Sequence, residues 1–265
     1  MAIEDEEITG PSNSGRNEPA VDFLPKTASA YGDPRYWSFS DSIYFRFTAE
    51  EHYEWLKEYS HFQHLILPNI CPEHSILELG CGNSQLSEDL HGEGVIDVTC
   101  IDLSAIAVQR MRQRLKEKGI KVIQADMLDL PFESESFDIV IEKGTMDVLY
   151  VDSGDPWNPR SDTVSKVMQM LTGVHKVLKP DGIFISISFG QPHFRRQLFE
   201  APCFTWSVEW KTFGEGFHYF VYTLKKGRRS CESKYPSIDD ACVVPGMSLI
   251  HDELDDEDFI FRVDI

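Results

Sequence analysis

A glycine-rich turn, and an acidic residue 22 positions after its first glycine, are the first residues in this chain that could do chemistry. The turn, Gly80-Cys81-Gly82, follows a short apolar run, and Asp102 ends the next such run. Glycines at a strand-to-helix turn let the backbone approach a bound molecule closely. Open α/β sheets bind ligands beyond the carboxyl ends of their strands, where a carboxylate can accept both hydroxyls of a ribose. The pattern predicts a nucleoside site that includes Gly80, Gly82 and Asp102.

The residues around this turn favour S-adenosylmethionine over a dinucleotide. Gln85 stands where a third glycine would allow tight packing under a pyrophosphate. S-adenosylmethionine carries no phosphate, and it needs a negative environment for its sulfonium and ammonium groups. Glu78 would hold the turn or face that ammonium group through water. After a third apolar run, Asp126 could take the adenine amino group while Met127 packs on the ring.

Three ionisable residues surround Gly144 at the end of a fourth apolar run: Glu142, Lys143 and Asp147. Packing alone does not explain three such groups at a strand end. Methyl transfer to an amine is an in-line displacement, so an enzyme mainly aligns the reactants and must accept the amine as its free base. Glu142 or Asp147 could orient the amine and help to remove its proton, and the sequence leaves open which of them does so.

The elements that must position these residues alternate along the chain. We expect strands over residues 75–79, 98–102, 121–124, 137–142 and 183–189. We expect helices over residues 84–90, 104–118 and 164–178, with Ser104 as a cap. Two final strands, 205–213 and 217–224, would form a hairpin around a Gly-Glu-Gly turn. The fold class is therefore α/β, a Rossmann-like seven-strand sheet that is parallel with an antiparallel C-terminal hairpin.

The chain also divides by composition. Residues 1–30 lack periodicity and are expected to be disordered. Residues 31–250 form the predicted domain, which opens with an aromatic arm over 31–70 that includes a helix over 49–67. Residues 251–265 form an acidic tail.

The bulk composition narrows the partners and the compartment. The formal net charge is −19, which disfavours nucleic acid and anionic membranes and favours a basic partner. The six cysteines form no CxxC pair, and the histidines show no metal-ligand spacing, so no metal is expected. No apolar stretch of about 18 residues occurs and the N-terminus is acidic, which predicts a soluble, cytoplasmic protein.

Two segments carry a resemblance to known proteins. The run ILELGCGNS, residues 76–84, resembles motif I of class I methyltransferases. The run EKGTMD, residues 142–147, resembles the signature of a eukaryotic methyltransferase-like group that modifies lysines of translation elongation factor 1A. The similarity extends from about Tyr36 to the C-terminus and includes PHFR at 192–195, FGEGFH at 213–218 and DEDF at 256–259.

The resemblance implies S-adenosyl-L-methionine as methyl donor and a lysine of a basic protein, such as elongation factor 1A, as acceptor. It implies a cofactor site at Trp37, Trp55, Gly80, Asp102, Leu103, Asp126, Met127 and Lys143. In relatives the arm that carries the two tryptophans closes over the cofactor. This arm departs from the pattern, because the chain between Trp37 and Trp55 is longer than expected and Asp41 replaces the usual tyrosine; Tyr44 could take its place.

Three alternatives compete with a protein-lysine methyltransferase. The same fold serves small-molecule methyltransferases, since substrate choice lies in loops. A non-catalytic S-adenosylmethionine-binding partner protein would keep the glycines but has no need of the acids after the fourth strand. An NAD-dependent oxidoreductase is opposed by Gln85 and by the antiparallel final hairpin.

Overall fold

A seven-stranded sheet forms the centre of the protein in the computed structural model, which describes residues 52–228. In chain order the strands are β1 (Ser75–Leu79), β2 (Asp97–Asp102), β3 (Lys121–Gln124), β4 (Phe137–Lys143), β5 (Gly154–Asp155), β6 (Asn158–Pro159), β7 (Leu178–Ser188), β8 (Ser207–Phe213) and β9 (Tyr219–Lys225). The large sheet has the order β3-β2-β1-β4-β7-β9-β8, while β5 and β6 form a small hairpin of their own. The segments predicted at 1–30 and 251–265, together with Trp37, Asp41 and Tyr44, lie outside the described residues.

The strand directions confirm the predicted fold class. Strands β1, β2, β3, β4 and β7 are parallel to their neighbours within this set. Strand β9 runs antiparallel to both β7 and β8. Only β9 is therefore reversed, and β8 points in the same direction as the parallel strands. The carboxyl ends of the parallel strands meet at one edge, which is where an open α/β sheet binds its ligand.

In the part of the chain that the structure describes, five α-helices connect or flank these strands. They are α1 (Gln63–Ile66), α2 (Leu86–Gly92), α3 (Ala105–Arg114), α4 (Ser161–Val177) and α5 (Pro192–Phe199). The Ser104 hydroxyl accepts from the Ala107 N–H, as a cap does. Helix α2 begins two residues later than predicted, and the Ser84 hydroxyl accepts from the Leu86 N–H at its start.

Two expectations about the elements are corrected. The helix predicted over 49–67 is wrong for residues 52–58. Residues 59–67 are helical only in short pieces, namely a 3₁₀ turn at Tyr59–His61, the short α1 and the start of a second 3₁₀ turn at Leu67–Asn69. Residues before the first of these turns are irregular, and Leu56 has a φ of 66° that no right-handed helix contains. Strand β7 begins five residues earlier than predicted, because the chain stays in the sheet through an irregular register beside Phe137 and Ile139.

The core lies on both faces of the sheet. Ile76 belongs to one hydrophobic cluster and its neighbour Leu77 to the other, as expected when successive strand residues point to opposite faces. Helices α2 and α3 cover the first cluster with residues such as Leu90 and Met111, and α4 covers the second with residues such as Leu171. Burial on both faces holds the strand ends in fixed positions. Within residues 52–228, no helix combines the length and apolarity that crossing a bilayer requires.

Candidate active site

A cavity of about 470 Å³ opens where β1, β2, β3 and β4 end. All but one of the described residues that the sequence predicted for the site line it. These are Trp55, Glu78, Gly80, Gly82, Asp102, Leu103, Asp126, Met127, Lys143 and Asp147. The exception is Glu142, which lies behind the lining. The topology thus brings residues from four separate strand ends to one place.

The turn after β1 needs glycine both because of its backbone conformation and because of the neighbouring Thr145 side chain. Gly80 has a φ of 64° and Gly82 a φ of 52°, a region that L side chains rarely adopt. A Cβ on Gly80 would overlap the side chain of Thr145. The Thr145 hydroxyl donates to the Leu79 carbonyl at 3.0 Å, so the turn after β4 packs directly on the turn after β1.

Asp102 connects the glycine turn to the helix that follows β2. Its Oδ2 accepts from the Gly82 N–H and its Oδ1 from the Ser104 N–H, each at 2.8 Å. Burial raises the pKa of the Asp102 carboxyl, and these two N–H groups oppose that effect. A carboxylate oxygen can accept more than one hydrogen bond, so both oxygens can still receive a hydroxyl from a ligand. The residue is therefore fixed in position before any ligand binds.

Glu78 places a second carboxyl in the cavity wall. It is almost fully buried, and burial raises its pKa to about 8 although nearby Lys143 acts in the opposite direction. At neutral pH the carboxyl is therefore mostly protonated. A cation that enters the cavity would favour the ionised form, so Glu78 can respond to a positively charged ligand.

Glu54 attaches residues 53–56 to the cavity wall. Its carboxylate accepts from Lys143 Nζ at 2.7 Å, from the Ser84 hydroxyl at 2.9 Å and from the Gln85 N–H. Lys143 Nζ also donates to the Trp55 carbonyl at 2.8 Å. Because the Lys143–Glu54 pair is nearly buried, it holds Tyr53, Trp55 and Leu56 against the cavity.

Asp147 is the acid of the turn after β4 that faces the cavity. Its Oδ1 accepts from Arg195 Nη2 at 2.7 Å and from the Ser188 hydroxyl, and its Oδ2 accepts from the Phe189 N–H at 3.2 Å. The buried Arg195 guanidinium also lies 3.6 Å from the centre of the Tyr150 ring. Burial tends to lower the pKa of Arg195, but Tyr150 and Asp147 outweigh it and raise that pKa. Asp147 is thus held rigidly beside a permanent positive charge.

Glu142 supports the turn that carries Asp147. Its carboxylate accepts from the Thr145 and Met146 N–H groups at 2.9 and 3.0 Å and from the Ser186 hydroxyl. Burial, and then the charge of Asp147, raise the pKa of Glu142 to about 7. The catalytic role predicted for Glu142 stays a prediction, and its position favours a supporting one.

Comparison with known proteins assigns the chain to a family. A family model described as "Methyltransferase domain" matches residues 71–219. The chain belongs to the methyltransferase family. It is 38% identical over 206 residues to EEF1A lysine methyltransferase 4 of Mus musculus, which covers 77% of this chain and 80% of that protein. The Bos taurus protein of the same name has the same identity and coverage.

The chain is also similar to more distant proteins. The eEF1A lysine and N-terminal methyltransferase of Homo sapiens is 28% identical over 179 residues, which is 67% of this chain but 24% of that protein. A solved SAM-dependent methyltransferase from Methanosarcina mazei is 18% identical, covers 61% of this chain and 96% of its own, and gives a TM-score of 0.47. The predicted methyltransferase is confirmed, and family membership sets aside the NAD-dependent oxidoreductase.

Two site residues of the methyltransferase were missed by reasoning on the sequence. Glu54 stands between Tyr53 and Trp55, a pattern that indicates only aromatic packing. Arg195 was noted only as part of the PHFR segment, and nothing in its spacing points to Asp147, 48 residues earlier. Both contacts depend on how distant parts of the chain meet. Among residues 52–228, no group of three His, Cys, Asp or Glu side chains could hold a metal ion.

Proposed function

We propose that this methyltransferase transfers a methyl group from S-adenosyl-L-methionine to a lysine of elongation factor 1A or a similar basic protein. The observation that carries the proposal is that Asp102 and Asp147, one suited to a ribose and one to an amine, line the same cavity. The names of the relatives support the choice of acceptor. The predicted cytoplasmic location, the arm over 31–70 and the acidic tail belong to the same proposal.

The residues that line the cavity fit the proposed cofactor. Asp102 would accept the ribose hydroxyls, and Gly80 and Gly82 would let the ligand approach the backbone. Asp126 is fixed at the cavity wall because its Oδ1 accepts from the Leu128 N–H at 2.8 Å, and it would take the adenine amino group. Met127 and Leu103 would pack on the adenine. When bound, S-adenosyl-L-methionine supplies a methyl group on a sulfonium sulfur.

Four further residues would contribute to the other end of the cofactor site. Glu78 would become ionised beside the ammonium group, because a nearby positive charge favours the carboxylate. Trp55, together with Trp37 from outside the described residues, would cover the cofactor. Lys143 would act through Glu54, because its ammonium already donates to that carboxylate and to the Trp55 carbonyl.

Asp147 would orient the acceptor amine. Its Oδ2 has a single recorded donor within the described residues, the Phe189 N–H, so it can accept a hydrogen bond from the amine as well. The Arg195 guanidinium holds the Asp147 carboxyl in place, so Asp147 is suited to align the amine. Asp147 would hold the amine nitrogen in line with the donor methyl group, and the proton that the amine gives up would pass to solvent. Glu142 would hold the turn that carries Asp147.

Labelling of purified elongation factor 1A with methyl-labelled S-adenosyl-L-methionine tests this proposal. The wild-type protein and an Asp97→Ala control should transfer label to a lysine, since Asp97 is an exposed residue at the opposite end of β2. Asp102→Ala should bind the cofactor at least about tenfold more weakly, because a charge-assisted hydrogen bond is lost. Label that appears only in small molecules of a cell extract would favour the small-molecule alternative. Cofactor binding with no transfer to any acceptor would favour a non-catalytic protein.

A further inference from the structure

An exposed aromatic surface lies beside the mouth of the cavity. The β5–β6 hairpin carries Trp157, whose ring stacks on His193 with centroids 5.1 Å apart and an interplanar angle of 22°. The edge of Phe194 packs against the same indole at 5.0 Å and 68°. Trp157 is nevertheless 47% exposed. The indole is therefore held in place by two aromatic neighbours while part of the Trp157 surface stays accessible to a partner.

This surface is connected directly to the cavity wall. The hairpin follows Val151, which lines the cavity, and the Arg160 N–H closes its base on the Ser153 carbonyl at 2.8 Å. On the other side, His193 and Phe194 open helix α5 just after Phe189. Phe189 lines the cavity, is 46% exposed, and donates its N–H to Asp147. We call Phe189, Trp157, His193 and Phe194 the aromatic rim.

The charges around the rim suit a basic partner. Three acidic residues are exposed on or beside the hairpin: Asp152, Asp155 and Asp162. The cations that pair with them are Arg160, with Asp152 and Asp162, and Lys166, with Asp162. The Asp155 carboxylate accepts from the backbone N–H of Trp157 at 3.0 Å, so a negative charge lies on the same hairpin as the indole. An aromatic face attracts Lys and Arg side chains through its quadrupole, and a neighbouring carboxylate adds to that attraction.

We infer that the aromatic rim binds a basic segment of the acceptor protein next to its target lysine. The inference rests on the proposed function, because Phe189 lines the same cavity as Asp147 and donates its N–H to that carboxylate, which would orient the acceptor lysine. The aliphatic part of that lysine would pack on Phe189, and a second Lys or Arg of the same segment would lie on the exposed part of Trp157. Affinity for the acceptor then depends on the rim, whereas affinity for the cofactor does not.

Steady-state kinetics with purified elongation factor 1A at saturating S-adenosyl-L-methionine test the rim. Trp157→Ala should raise the KM for the acceptor about tenfold, as loss of a central interface aromatic typically does, with kcat and cofactor Kd within twofold of wild type. Trp210→Ala is the matched control, because Trp210 is 40% exposed on β8 and does not line the cavity. It should leave all three constants unchanged.

A second pair of variants separates binding from folding of the hairpin. Trp157→Phe keeps a ring against His193 and should restore the KM to within about threefold of wild type. Trp157→Leu fills the space without an aromatic face and should behave like Trp157→Ala. Equal KM values for wild type, Trp157→Ala and Trp210→Ala, or full rescue by Leu, would overturn the inference and leave the proposed function intact. A wild-type protein that methylates no elongation factor 1A would overturn the proposed function and the inference together.

Discussion

Glu54→Gln tests whether the Lys143–Glu54 pair holds residues 53–56 over the cavity. The substitution keeps the size of the side chain but removes its charge, and it turns an amide toward the Lys143 ammonium. Breaking a nearly buried ion pair costs about 3–5 kcal/mol. The amide oxygen can still accept from the Gln85 N–H, so we expect a loss of about 2 kcal/mol in the attachment of this segment.

That loss should appear in the affinity for the cofactor. If residues 53–56 cover the bound cofactor, 2 kcal/mol corresponds to a Kd about 30-fold higher. Isothermal titration calorimetry with S-adenosyl-L-methionine measures this directly. Glu58→Gln is the matched control, since Glu58 lies four residues further along the chain and is exposed. It should bind like wild type.

A double-mutant cycle tests whether Lys143 is the partner through which Glu54 acts. Lys143→Met and Glu54→Gln should each weaken binding, and the double variant should lose much less than the sum of the two, because both remove the same contact. A Kd for Glu54→Gln within twofold of wild type would refute the reasoning, as would simple additivity in the cycle.

Three other sites can be tested in the same way: the glycine turn at Gly80, the Glu78 carboxyl and the buried Arg195. Gly80→Ala should lower the free energy of unfolding by about 2 kcal/mol or more, since it adds both a positive φ and an overlap with Thr145. Gly92→Ala, where a Cβ meets nothing within 4 Å, should leave the free energy of unfolding unchanged. Equal urea midpoints for Gly80→Ala and Gly92→Ala would contradict this account. Because binding a cation ionises Glu78, whose free pKa is about 8, cofactor affinity should rise with pH from about 6 to 8 and level off above. Glu78→Gln should abolish that rise, and a wild-type Kd independent of pH would count against it. Arg195→Lys should lower kcat about tenfold or more while the cofactor Kd stays within twofold, because Asp147 loses its fixed partner. Arg196→Lys, which alters a partly exposed pair with Glu200 at the end of the same helix, should keep wild-type kcat; equal kcat values for the two variants would refute a positioning role for Arg195.

Features set by short stretches of sequence were predictable. The strand before the glycine turn, Asp102 at the end of the next strand and the cap at Ser104 each depend on a few adjacent residues, and the structure places them as predicted. The parallel part of the sheet followed from the alternation of strands and helices, because parallel strands need crossover connections. Their carboxyl ends then had to share one edge, which brought Asp102 and Asp147 to one cavity.

Features set by long-range contacts were not predictable. Periodic aromatic residues suggested a helix over 49–67, but the contacts of Glu54 with Lys143, Ser84 and Gln85 bind this segment in an irregular form. The charged residues after β4 looked equivalent in sequence. Their roles separate only because Ser186 and two N–H groups bind Glu142 behind the cavity, while Arg195 holds Asp147 at its wall.

Mass spectrometry of purified elongation factor 1A, after incubation with S-adenosyl-L-methionine and this protein, tests the central claim most directly. We predict a mass increase of one or more methyl groups on a single lysine with the wild-type protein. The increase should be absent with Asp147→Asn, which retains cofactor binding. An unmodified acceptor in the wild-type reaction, or an undiminished modification with Asp147→Asn, would contradict the account.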